Sequence, residues 1–375
     1  MDFEPAEYQR RTERAQTLMR AKGLDALFLT TEPEVRYFSG FRTLFWQSPT
    51  RPWYLVVPAV GKPIAIIPEI GAPLMQKTWI DDIRCWASPA ESDDGVSQLK
   101  LTLKDYPRVG VAMGRESHLR MPVNDFQKLR LELTGTRFVD ATALLNAVRF
   151  VKSDAEIATL WQICSIASNA FDKASLLFHE GQSLDQVFRT FKMELLSLGA
   201  EEVPYVVGGK GPLGYRDVIS PPTTTPLDVG DVLMLDTGST LRGYFCDFDR
   251  NFSIGRPDDA VRRAYETLWL ATEAGLAAAR PGARCSDVFH AMQNVIGPTP
   301  GNVGRLGHGL GIELTETPSL IAWDHTELKE GAVITLEPSM VVADGYMMVQ
   351  EENIVIRDGA PQLLTRRAPR ELPML

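Results

Sequence analysis

Five segments in the second half of the chain each carry one side chain that can bind a metal ion. These side chains are Asp236, Asp247, His308, Glu337 and Glu351. Asp236 and Glu337 are unusual for acidic residues because each one interrupts a strongly apolar run. A buried carboxylate that lacks a partner costs several kcal/mol or changes its protonation state. We therefore interpret these acids as ligands rather than as solvated surface charges.

The types of these side chains indicate which metal they suit. Four carboxylates and one imidazole form the ligand set of hard or borderline divalent ions, here Mn, Fe, Co or Zn. The carboxylates carry about four negative charges, which two divalent ions neutralise. The set therefore predicts a site for two divalent ions. In such a site, water that is activated by the metals attacks a carbonyl that the metals polarise.

The two aspartates need a strand hairpin to bring them together. Asp236 ends the apolar strand of residues 232–235, and Asp247 follows 11 positions later within a strand-like run of residues 244–254. A turn within residues 239–243 folds the two runs onto each other and places both carboxylates at one end. A strand-rich stretch, residues 332–356, carries both glutamates.

The remaining sequence predicts two domains, residues 1–150 and 151–375, because 375 residues exceed the usual size of one domain. The first reads as an α/β domain, with a helix over residues 7–21, a strand over 26–29 and a hairpin of residues 53–57 and 63–67. The second begins at a capping box, Ser153 with Glu156. A long helix to about His179 follows, and then a helix from Ser183 to Leu198.

Composition excludes several classes of protein. The net charge of -9 argues against a protein that binds nucleic acid through its phosphates. No apolar run approaches the roughly 18 residues that span a bilayer, so no membrane partner is expected. The four cysteines are far apart and form no CxxC pair. They are typical of reduced thiols, and together with the acidic N-terminal segment they favour a cytoplasmic protein.

The ordered ligand set resembles the pita-bread metallopeptidase family, which holds methionine aminopeptidase, aminopeptidase P, prolidase and creatinase. The resemblance is carried by D-T-G-S-T-L-R-G-Y-F-C-D-F-D-R-N-F (236–252), G-H-G-L-G (307–311), T-L-E-P-S (335–339) and Q-E-E-N (350–353). The segment R-F-V-K-S-D-A-E-I (149–157) looks like the usual start of the catalytic domain. The resemblance implies an α+β protein, with an α/β creatinase-like N-terminal domain and a pita-bread catalytic domain. It also implies that all five metal positions are filled and that Glu337 takes a proton from the attacking water.

Three departures from the family pattern concern the substrate rather than the metals. The family has a second histidine seven residues after the first, where this chain has Thr315 followed by Glu316. It also has a histidine after the glycine-rich segment, where this chain has Tyr215 and Arg216, and a threonine at the position of Asp249. Tyr215, Arg216 or Glu316 could replace the lost histidines as substrate contacts or proton donors. An arginine there favours a substrate that carries a carboxylate.

Three functions remain open on these residues. The leading one is a dinuclear metallohydrolase acting on a small amide or an Xaa-Pro-dipeptide-like compound. The second is a metal-dependent lyase similar to the dimethylsulfoniopropionate lyases on this fold, with Asp249 or the Tyr215 phenolate as the base. The third is an inactive binding homologue, against which the complete ligand set argues.

Two further segments lead to predictions about shape and assembly. The glycine-rich stretch 208–214 is no Walker loop, because Gly211 follows Lys210 where that motif needs Ser or Thr, and we interpret it as a turn near the substrate. Trp46 and Trp53 form an aromatic cluster in the first domain. Core packing explains this cluster, but the family resemblance adds a second reading, in which Trp46 covers a partner subunit's site in a homodimer.

Overall fold

The computed structural model describes residues 1–91, 93–298, 304–343 and 345–375. The described chain divides into two compact units, Met1–Arg149 and Phe150–Leu375. Both units combine helices with sheets. Within the described ranges, no helix is both long enough and apolar enough to cross a bilayer.

The first unit is built around one mixed sheet. In the described part of this unit the strand order is β4-β3-β2-β1-β5-β6, with the β1–β2 and β2–β3 pairs antiparallel and the others parallel. The strands are β1 Ala26–Leu29, β2 Tyr54–Pro58, β3 Ile64–Pro68, β4 Asp82–Trp86, β5 Arg108–Val111 and β6 Arg137–Asp140. The helices are α1 Pro5–Lys22, α2 Glu32–Ser39, α3 Ala72–Met75, α4 Val96–Leu103, α5 Val123–Glu132 and α6 Thr142–Phe150. The predicted first helix, first strand and hairpin are confirmed.

The aromatic cluster of the first unit packs inside that unit. Trp46 lies in a short 3-10 turn, Leu44–Gln47, and is buried. Its ring centroid lies 6.3 Å from that of Trp53, and the Arg120 guanidinium lies 5.2 Å from its centroid. These contacts account for Trp46 as a packed residue, and its predicted role over a partner's site stays a prediction.

The second unit begins with helices. They are α7 Asp154–Phe171, α8 Ala174–Leu177, α9 Leu184–Ser197, α10 Asp259–Ala278 and α11 Cys285–Ile296. The capping box at the start of α7 is confirmed, since the backbone amide of Ser153 donates to Glu156 at 2.8 Å and the amide of Glu156 donates to the Ser153 hydroxyl at 3.3 Å. The predicted continuous helix to His179 is wrong, because the chain turns at Asp172–Lys173. Aromatic packing accompanies this break: Phe171 and Phe178 both contact Phe191, at centroid distances of 4.5 and 6.1 Å.

The strands of the second unit form separate sheets. In the described residues one sheet has the order β10-β8-β7, with β9 paired to β8, another has the order β12-β11-β13-β16-β17, and β14 pairs with β15. The strands are β7 Glu202–Gly211, β8 Val232–Leu241, β9 Tyr244–Phe245, β10 Phe248–Ser253, β11 His308–Gly309, β12 Glu316–Ser319, β13 Val333–Leu336, β14 Ser339–Ala343, β15 Tyr346–Val349, β16 Glu352–Val355 and β17 Gln362–Leu363.

Two predictions in this unit, one of a turn and one of a strand, need correction. Most of the glycine-rich stretch 208–214 is not a turn, because residues 208–211 complete β7 and only residues 212–214 turn. Gly208 lets the strand approach β8 closely, since a Cβ added there would lie 2.1 Å from the carbonyl oxygen of Met234. The run 244–254 is also not one strand, since it is interrupted at Cys246–Asp247 between β9 and β10.

Candidate metal centre

The hairpin formed by β8, β9 and β10 carries three carboxylates, Asp236, Asp247 and Asp249. Arg242 and Gly243 make the turn, both with positive φ, and they lie at the end of the predicted turn segment. In the antiparallel register Asp236 lies opposite Asp249. Asp247 lies in the interruption between β9 and β10, and its charge adds to burial in raising the pKa of Asp236, so these two carboxylates are close. The hairpin therefore gathers carboxylates at one place, as expected from the 11-residue spacing between Asp236 and Asp247.

Residues from two other segments meet this hairpin. Asp247, His308 and Glu351 are buried, and one ligand atom from each lies within 4.8 Å of the others. His308 Nε2 is 3.2 Å from Asp247 Oδ2, while Nδ1 is 2.9 Å from the carbonyl oxygen of Gly309. A proton on Nδ1 satisfies that carbonyl and leaves the Nε2 lone pair directed at the carboxylates, which is the arrangement of a metal-binding histidine.

The other two predicted ligands, Asp236 and Glu337, lie in the electrostatic neighbourhood of Asp247 and His308. The Tyr205 hydroxyl donates to Asp236 Oδ2. Glu337 follows β13, and its backbone amide donates to the carbonyl of Leu306 at 2.9 Å. The charges of Asp236 and Asp247 both raise the pKa of Glu337, which places its carboxylate in the same electrostatic neighbourhood.

Unsatisfied oxygen atoms test whether this centre fits a cation. Among the described residues, Asp236 Oδ1, Asp249 Oδ2 and Glu351 Oε1 are buried and have no hydrogen-bond partner. Buried carboxylate oxygens of this kind are costly unless a cation or a proton compensates them. Their chemistry, together with a neutral imidazole, fits one or more divalent ions.

Burial sets the protonation of the metal-free centre. It raises the pKa of Asp236 to about 8, helped by the charge of Asp247, and the pKa of Asp247 to about 8. It also raises the pKa of Glu337 to about 7 and holds that of Glu351 well above its usual range. Burial and the nearby Arg305 charge lower the pKa of His308. Without metal, the centre is therefore rich in protons and its imidazole is neutral near pH 7.

These shifts predict how the stability of the metal-free protein depends on pH. Asp236 and Asp247 have folded pKa values of about 8 against 3.8 for the free side chain, so the folded state binds more protons between these limits. The free energy of unfolding therefore falls as pH rises from 5 to 8, by about 1.4 kcal/mol per pH unit for each proton retained. Melting temperatures measured in chelator at pH 5, 6.5 and 8 test this.

The matched variant for this measurement is Asp247→Asn, which keeps the shape of the side chain and removes one titrating group. Its melting temperature is expected to depend less steeply on pH than that of the wild type. A divalent ion replaces protons, so added Mn²⁺ is expected to raise the melting temperature of the wild type more at pH 8 than at pH 6.5. A wild-type melting temperature that rises from pH 5 to pH 8 in chelator contradicts the prediction.

A second layer of hydrogen bonds fixes the hairpin and the last strand to each other. The Asn353 side chain accepts from the backbone amide of Asp247 at 3.0 Å and donates to its carbonyl. Arg250 donates to the carbonyl of Glu351 at 2.9 Å and to the Glu352 carboxylate at 3.0 Å. These bonds hold Asp247 and Glu351 by their backbones, so the two side chains need little reorganisation to bind a ligand.

The structure places the other predicted site residues in different surroundings. Asp249 is buried, faces Asp236 and accepts from the Asn251 amide at 3.1 Å, and burial raises its pKa well above the usual range. Tyr215 is fully buried, and its hydroxyl accepts from the Val349 amide at 2.6 Å. Glu316 forms a buried ion pair with Lys152 at 2.9 Å. Arg216 is exposed, and its guanidinium lies 4.1 Å from the centroid of the Tyr346 ring.

Sequence reasoning missed two residues of this neighbourhood. Tyr205, on β7, reaches Asp236 because β7 pairs with β8. The sequence could have indicated this contact only if the pairing of these two strands had been known. Arg305 donates to the Thr315 hydroxyl at 3.3 Å. Its charge adds to burial in lowering the pKa of His308, and it opposes the burial that raises the pKa values of Asp247 and Glu337. The sequence signal that could have indicated Arg305 is its position three residues before His308.

The Tyr205 hydroxyl is expected to orient Asp236 as a ligand. Tyr205→Phe removes the side-chain hydrogen bond that reaches this carboxylate's Oδ2. Loss of such a supporting contact typically weakens metal binding by about 10- to 100-fold. Titration of the metal-free variant with Mn²⁺ in a calorimeter measures the change. Tyr106→Phe serves as a control in the first unit, and equal affinities for wild type and Tyr205→Phe contradict the assignment.

Family models place the chain among known proteins. Residues 158–358 match the model of metallopeptidase family M24, and residues 11–151 match the creatinase/prolidase N-terminal domain. The first match covers more than half of the chain. The chain therefore belongs to metallopeptidase family M24, a family of metal-dependent hydrolases, and the resemblance stated from the sequence is confirmed.

Individual relatives match over almost their whole length. The putative dipeptidase YkvY of Bacillus subtilis is 27% identical over 374 residues, which cover 97% of this chain and 99% of the relative. The probable dipeptidase PepE of Mycobacterium tuberculosis is 26% identical over 377 residues, covering 99% and 97%. The Xaa-Pro dipeptidase of Pyrococcus horikoshii is 24% identical over 357 residues, covering 92% and 94%.

Solved structures agree on the fold. The crystal structure of dipeptidase PepE from Mycobacterium ulcerans has a TM-score of 0.86 and 26% identity, with 99% of each chain covered. Prolidase from Thermococcus sibiricus has a TM-score of 0.87 at 23% identity, with 98% of this chain and 99% of that chain covered. The predicted α+β fold, a creatinase-like N-terminal domain and a pita-bread catalytic domain, is confirmed.

Proposed function

We propose that this chain is a dinuclear metal-dependent hydrolase of a small amide or an Xaa-Pro-dipeptide-like compound. The observation that carries the proposal is the buried cluster of Asp247, His308 and Glu351, together with the buried oxygens of Asp236, Asp249 and Glu351 that have no hydrogen-bond partner among the described residues. Asp236, Asp247, His308, Glu337 and Glu351 would hold two divalent ions, drawn from Mn, Fe, Co and Zn. When bound, such ions polarise a carbonyl and lower the pKa of water.

Among these residues, Glu337 has the clearest part in proton transfer. In the metal-free centre, burial raises the pKa of its carboxyl to about 7, and bound cations would favour its carboxylate form. By the family resemblance, this carboxylate would take the proton that the attacking water loses and return it to the leaving group. His308 stays neutral and keeps its Nε2 lone pair available because its Nδ1 proton is held by the Gly309 carbonyl.

The observed contacts of the other predicted site residues indicate which of them are available to bind the substrate. Tyr215 and Glu316 already bind Val349 and Lys152, so we assign them to holding the walls of the site rather than to the substrate. Arg216 is exposed and has its guanidinium on Tyr346, so it keeps its predicted part as a substrate contact. Asp249 faces Asp236 across the hairpin and has one unsatisfied oxygen.

Names of relatives support the substrate class. Relatives that span the length of this chain are described as dipeptidases and Xaa-Pro dipeptidases. This likeness supports a dipeptide-like substrate. The range of expected substrates becomes narrower because Thr315 stands where the family has its second histidine. A histidine there protonates or grips the scissile amide in the family, so we propose that ordinary Xaa-Pro dipeptides are poor substrates and that a small charged amide is preferred.

One observation favours the lyase alternative. Asp249 adds a buried carboxylate to the centre, and burial holds its pKa well above the usual range. Asp249 would be a stronger base than an ordinary carboxylate for removing a carbon-bound proton once the positive charge of bound ions ionises it. Elimination therefore stays the second candidate reaction, and the complete donor set argues against an inactive homologue.

Mass spectrometry of product mixtures separates these possibilities. The metal-loaded protein is incubated with Xaa-Pro dipeptides, N-acyl amino acids and small zwitterions. A hydrolase gives two fragments whose masses sum to that of the substrate plus water. Unsaturated fragments indicate a lyase, and no turnover of any member of the panel contradicts the proposed hydrolase.

The predicted homodimer and cytoplasmic location belong to the same proposal. Light scattering at micromolar concentration is expected to give about twice the chain mass of 41.7 kDa, because the family resemblance implies a dimer. A monomer over the whole concentration range contradicts the predicted dimer and, with it, the part assigned to Trp46 over a partner's site.

A further inference from the structure

Glu352 is a buried carboxylate that the proposed reaction does not use. It directly follows the predicted ligand Glu351, and its side chain is 1% exposed. A buried carboxylate is costly unless it is paired and hydrogen-bonded. One of its oxygens, Oε1, accepts from Arg367 Nη1 at 3.1 Å and from the backbone amide of Ala368 at 2.8 Å. A segment that carries no predicted ligand therefore holds a residue adjacent to one.

The second oxygen of Glu352 is shared between the same segment and β10. Oε2 accepts from the Thr365 hydroxyl and, at 3.0 Å, from Arg250 Nη2. Arg250 lies on β10, and its Nη2 also donates to the carbonyl of Arg366. Each oxygen of the carboxylate thus has two donors. These contacts fix the orientation of the carboxylate and of the guanidinium that faces it.

The other terminal nitrogen of Arg250 joins the hairpin to Glu351. Nη1 donates to the carbonyl of Asp249 at 2.6 Å and to the carbonyl of Glu351 at 2.9 Å. Because a guanidinium is planar and rigid, the position of Nη2 determines where Nη1 lies. A displacement of the Glu352 carboxylate would therefore move the bridge between the hairpin and Glu351.

Arg367 takes its position from α10. Its Nη2 donates to the Trp269 carbonyl at 3.0 Å, and its Nε donates to the Glu273 carboxylate at 3.2 Å. Its guanidinium also lies 4.9 Å from the centroid of the Trp269 ring. All three nitrogens of this side chain have partners, so the contact with Glu352 is made by a group that a helix already holds in place.

We propose that Arg367 is a positioning residue that sets the affinity of the centre for divalent ions through Glu352 and Arg250. The proposal rests on the metal centre of the proposed function and not on the reaction carried out there. Without Arg367, Glu352 Oε1 loses one of its two donors, so the carboxylate and the Arg250 fork gain freedom to turn. The segments that carry the ligands must then be ordered when ions bind, and this cost lowers the affinity.

Calorimetric titration of the metal-free proteins with Mn²⁺ measures this effect. Arg250→Lys is expected to bind Mn²⁺ about 10- to 100-fold more weakly than the wild type, the size of effect typical of contacts that support ligands. Arg367→Gln acts one contact further away and is expected to weaken binding by about 3- to 10-fold. Arg367→Lys is expected to recover part of this loss, because it keeps a positive charge at Glu352.

Arg370→Gln is the matched control for Arg367→Gln. Arg370 lies over the same Trp269 ring, at 5.6 Å from the centroid, but it pairs with the exposed Glu266 carboxylate. Its variant is expected to bind Mn²⁺ as the wild type does. The visible absorption spectrum of the Co²⁺-loaded proteins reports the geometry of the ligands. It is expected to change in Arg367→Gln and to stay the same in Arg370→Gln.

A double-mutant cycle separates positioning through Arg250 from a general loosening of the fold. In the Arg250→Lys protein, Arg367→Gln is expected to weaken Mn²⁺ binding by less than about twofold, because the contact through which it acts is already lost. Effects that multiply in the double variant overturn the proposal. If Arg250→Lys fails to fold, the comparison of Arg367→Gln, Arg367→Lys and Arg370→Gln decides.

The same titrations separate failure of this proposal from failure of the proposed function. A wild type that binds Mn²⁺ with the same affinity as Arg367→Gln overturns the positioning role and leaves the hydrolase intact. A wild type that binds no Mn²⁺ contradicts the metal centre and the positioning role together. Weaker binding by Arg367→Gln, in a protein whose loaded wild type hydrolyses nothing, supports the positioning role and contradicts the hydrolase.

Discussion

Replacing Asp247 with alanine is expected to abolish metal binding at the centre and to lower hydrolysis by at least about 10²-fold. Asp247 lies 3.2 Å from His308 Nε2 and within reach of Glu351, and the family resemblance assigns it to the metal set. Without this carboxylate, too few ligands remain to hold two ions. The electrostatic stabilisation that the ions would provide to a developing oxyanion is lost with them.

Elemental analysis of the loaded and desalted proteins measures this effect. The wild type is expected to hold about two divalent ions per chain and Asp247→Ala fewer than one. Glu266→Gln is the matched control, since this exposed carboxylate pairs with Arg370 at 2.7 Å. Because the metal-free centre already accommodates protons, the alanine variant is expected to stay folded in chelator. Equal metal content in the wild type and the variant contradicts the assignment of Asp247.

Thr315→His is expected to raise cleavage of Xaa-Pro dipeptides by about 10- to 100-fold over a weak wild-type rate. Loss of one general-acid contact typically costs about 10²- to 10⁴-fold, and Thr315 stands where the family resemblance expects that contact. Part of the gain is expected to be offset because Arg305 stays nearby and disfavours a protonated imidazole. The wild type is expected to have kcat/KM below about 10⁴ M⁻¹s⁻¹ on these dipeptides.

Steady-state kinetics with one Xaa-Pro dipeptide at saturating metal measures both quantities. Thr315→Val serves as the control, since it has a similar shape and offers no proton. Valine and histidine variants with the same rate would show that position 315 does not contact the scissile amide. A wild-type kcat/KM of about 10⁴ M⁻¹s⁻¹ or more contradicts the argument from the missing histidines and indicates an ordinary Xaa-Pro dipeptidase.

Local patterns predicted much of the fold because the relevant interactions are local. The capping box at Ser153 and Glu156 and the closing of the first helix by Gly23 depend on residues close in sequence. The break between α7 and α8 could not be predicted in this way. Neither Asp172 nor Lys173 breaks a helix by propensity, and the packing of Phe171 and Phe178 on Phe191 involves residues far along the chain.

The candidate centre shows the same division between local and long-range information. Asp236 and Asp247 are joined by one hairpin, so their spacing predicted that they come together. Tyr205 reaches Asp236 from a third strand, and Arg305 reaches Thr315 through the pairing of β11 with β12. Such contacts depend on which strands pair and in which register, and two segments far apart in sequence decide this together. The glycine-rich stretch misled for the same reason, because its glycines serve close strand approach rather than a turn.

Turnover in water enriched in ¹⁸O tests the central claim most directly. The metal-loaded protein is incubated with its best substrate from the panel, and both products are analysed by mass spectrometry. A hydrolase that uses water at the centre of Asp236, Asp247, His308, Glu337 and Glu351 incorporates one ¹⁸O atom into the carboxylate of the acyl product in each turnover, and Asp247→Ala incorporates none. Products without ¹⁸O, one of them unsaturated, would contradict hydrolysis and establish elimination at this site.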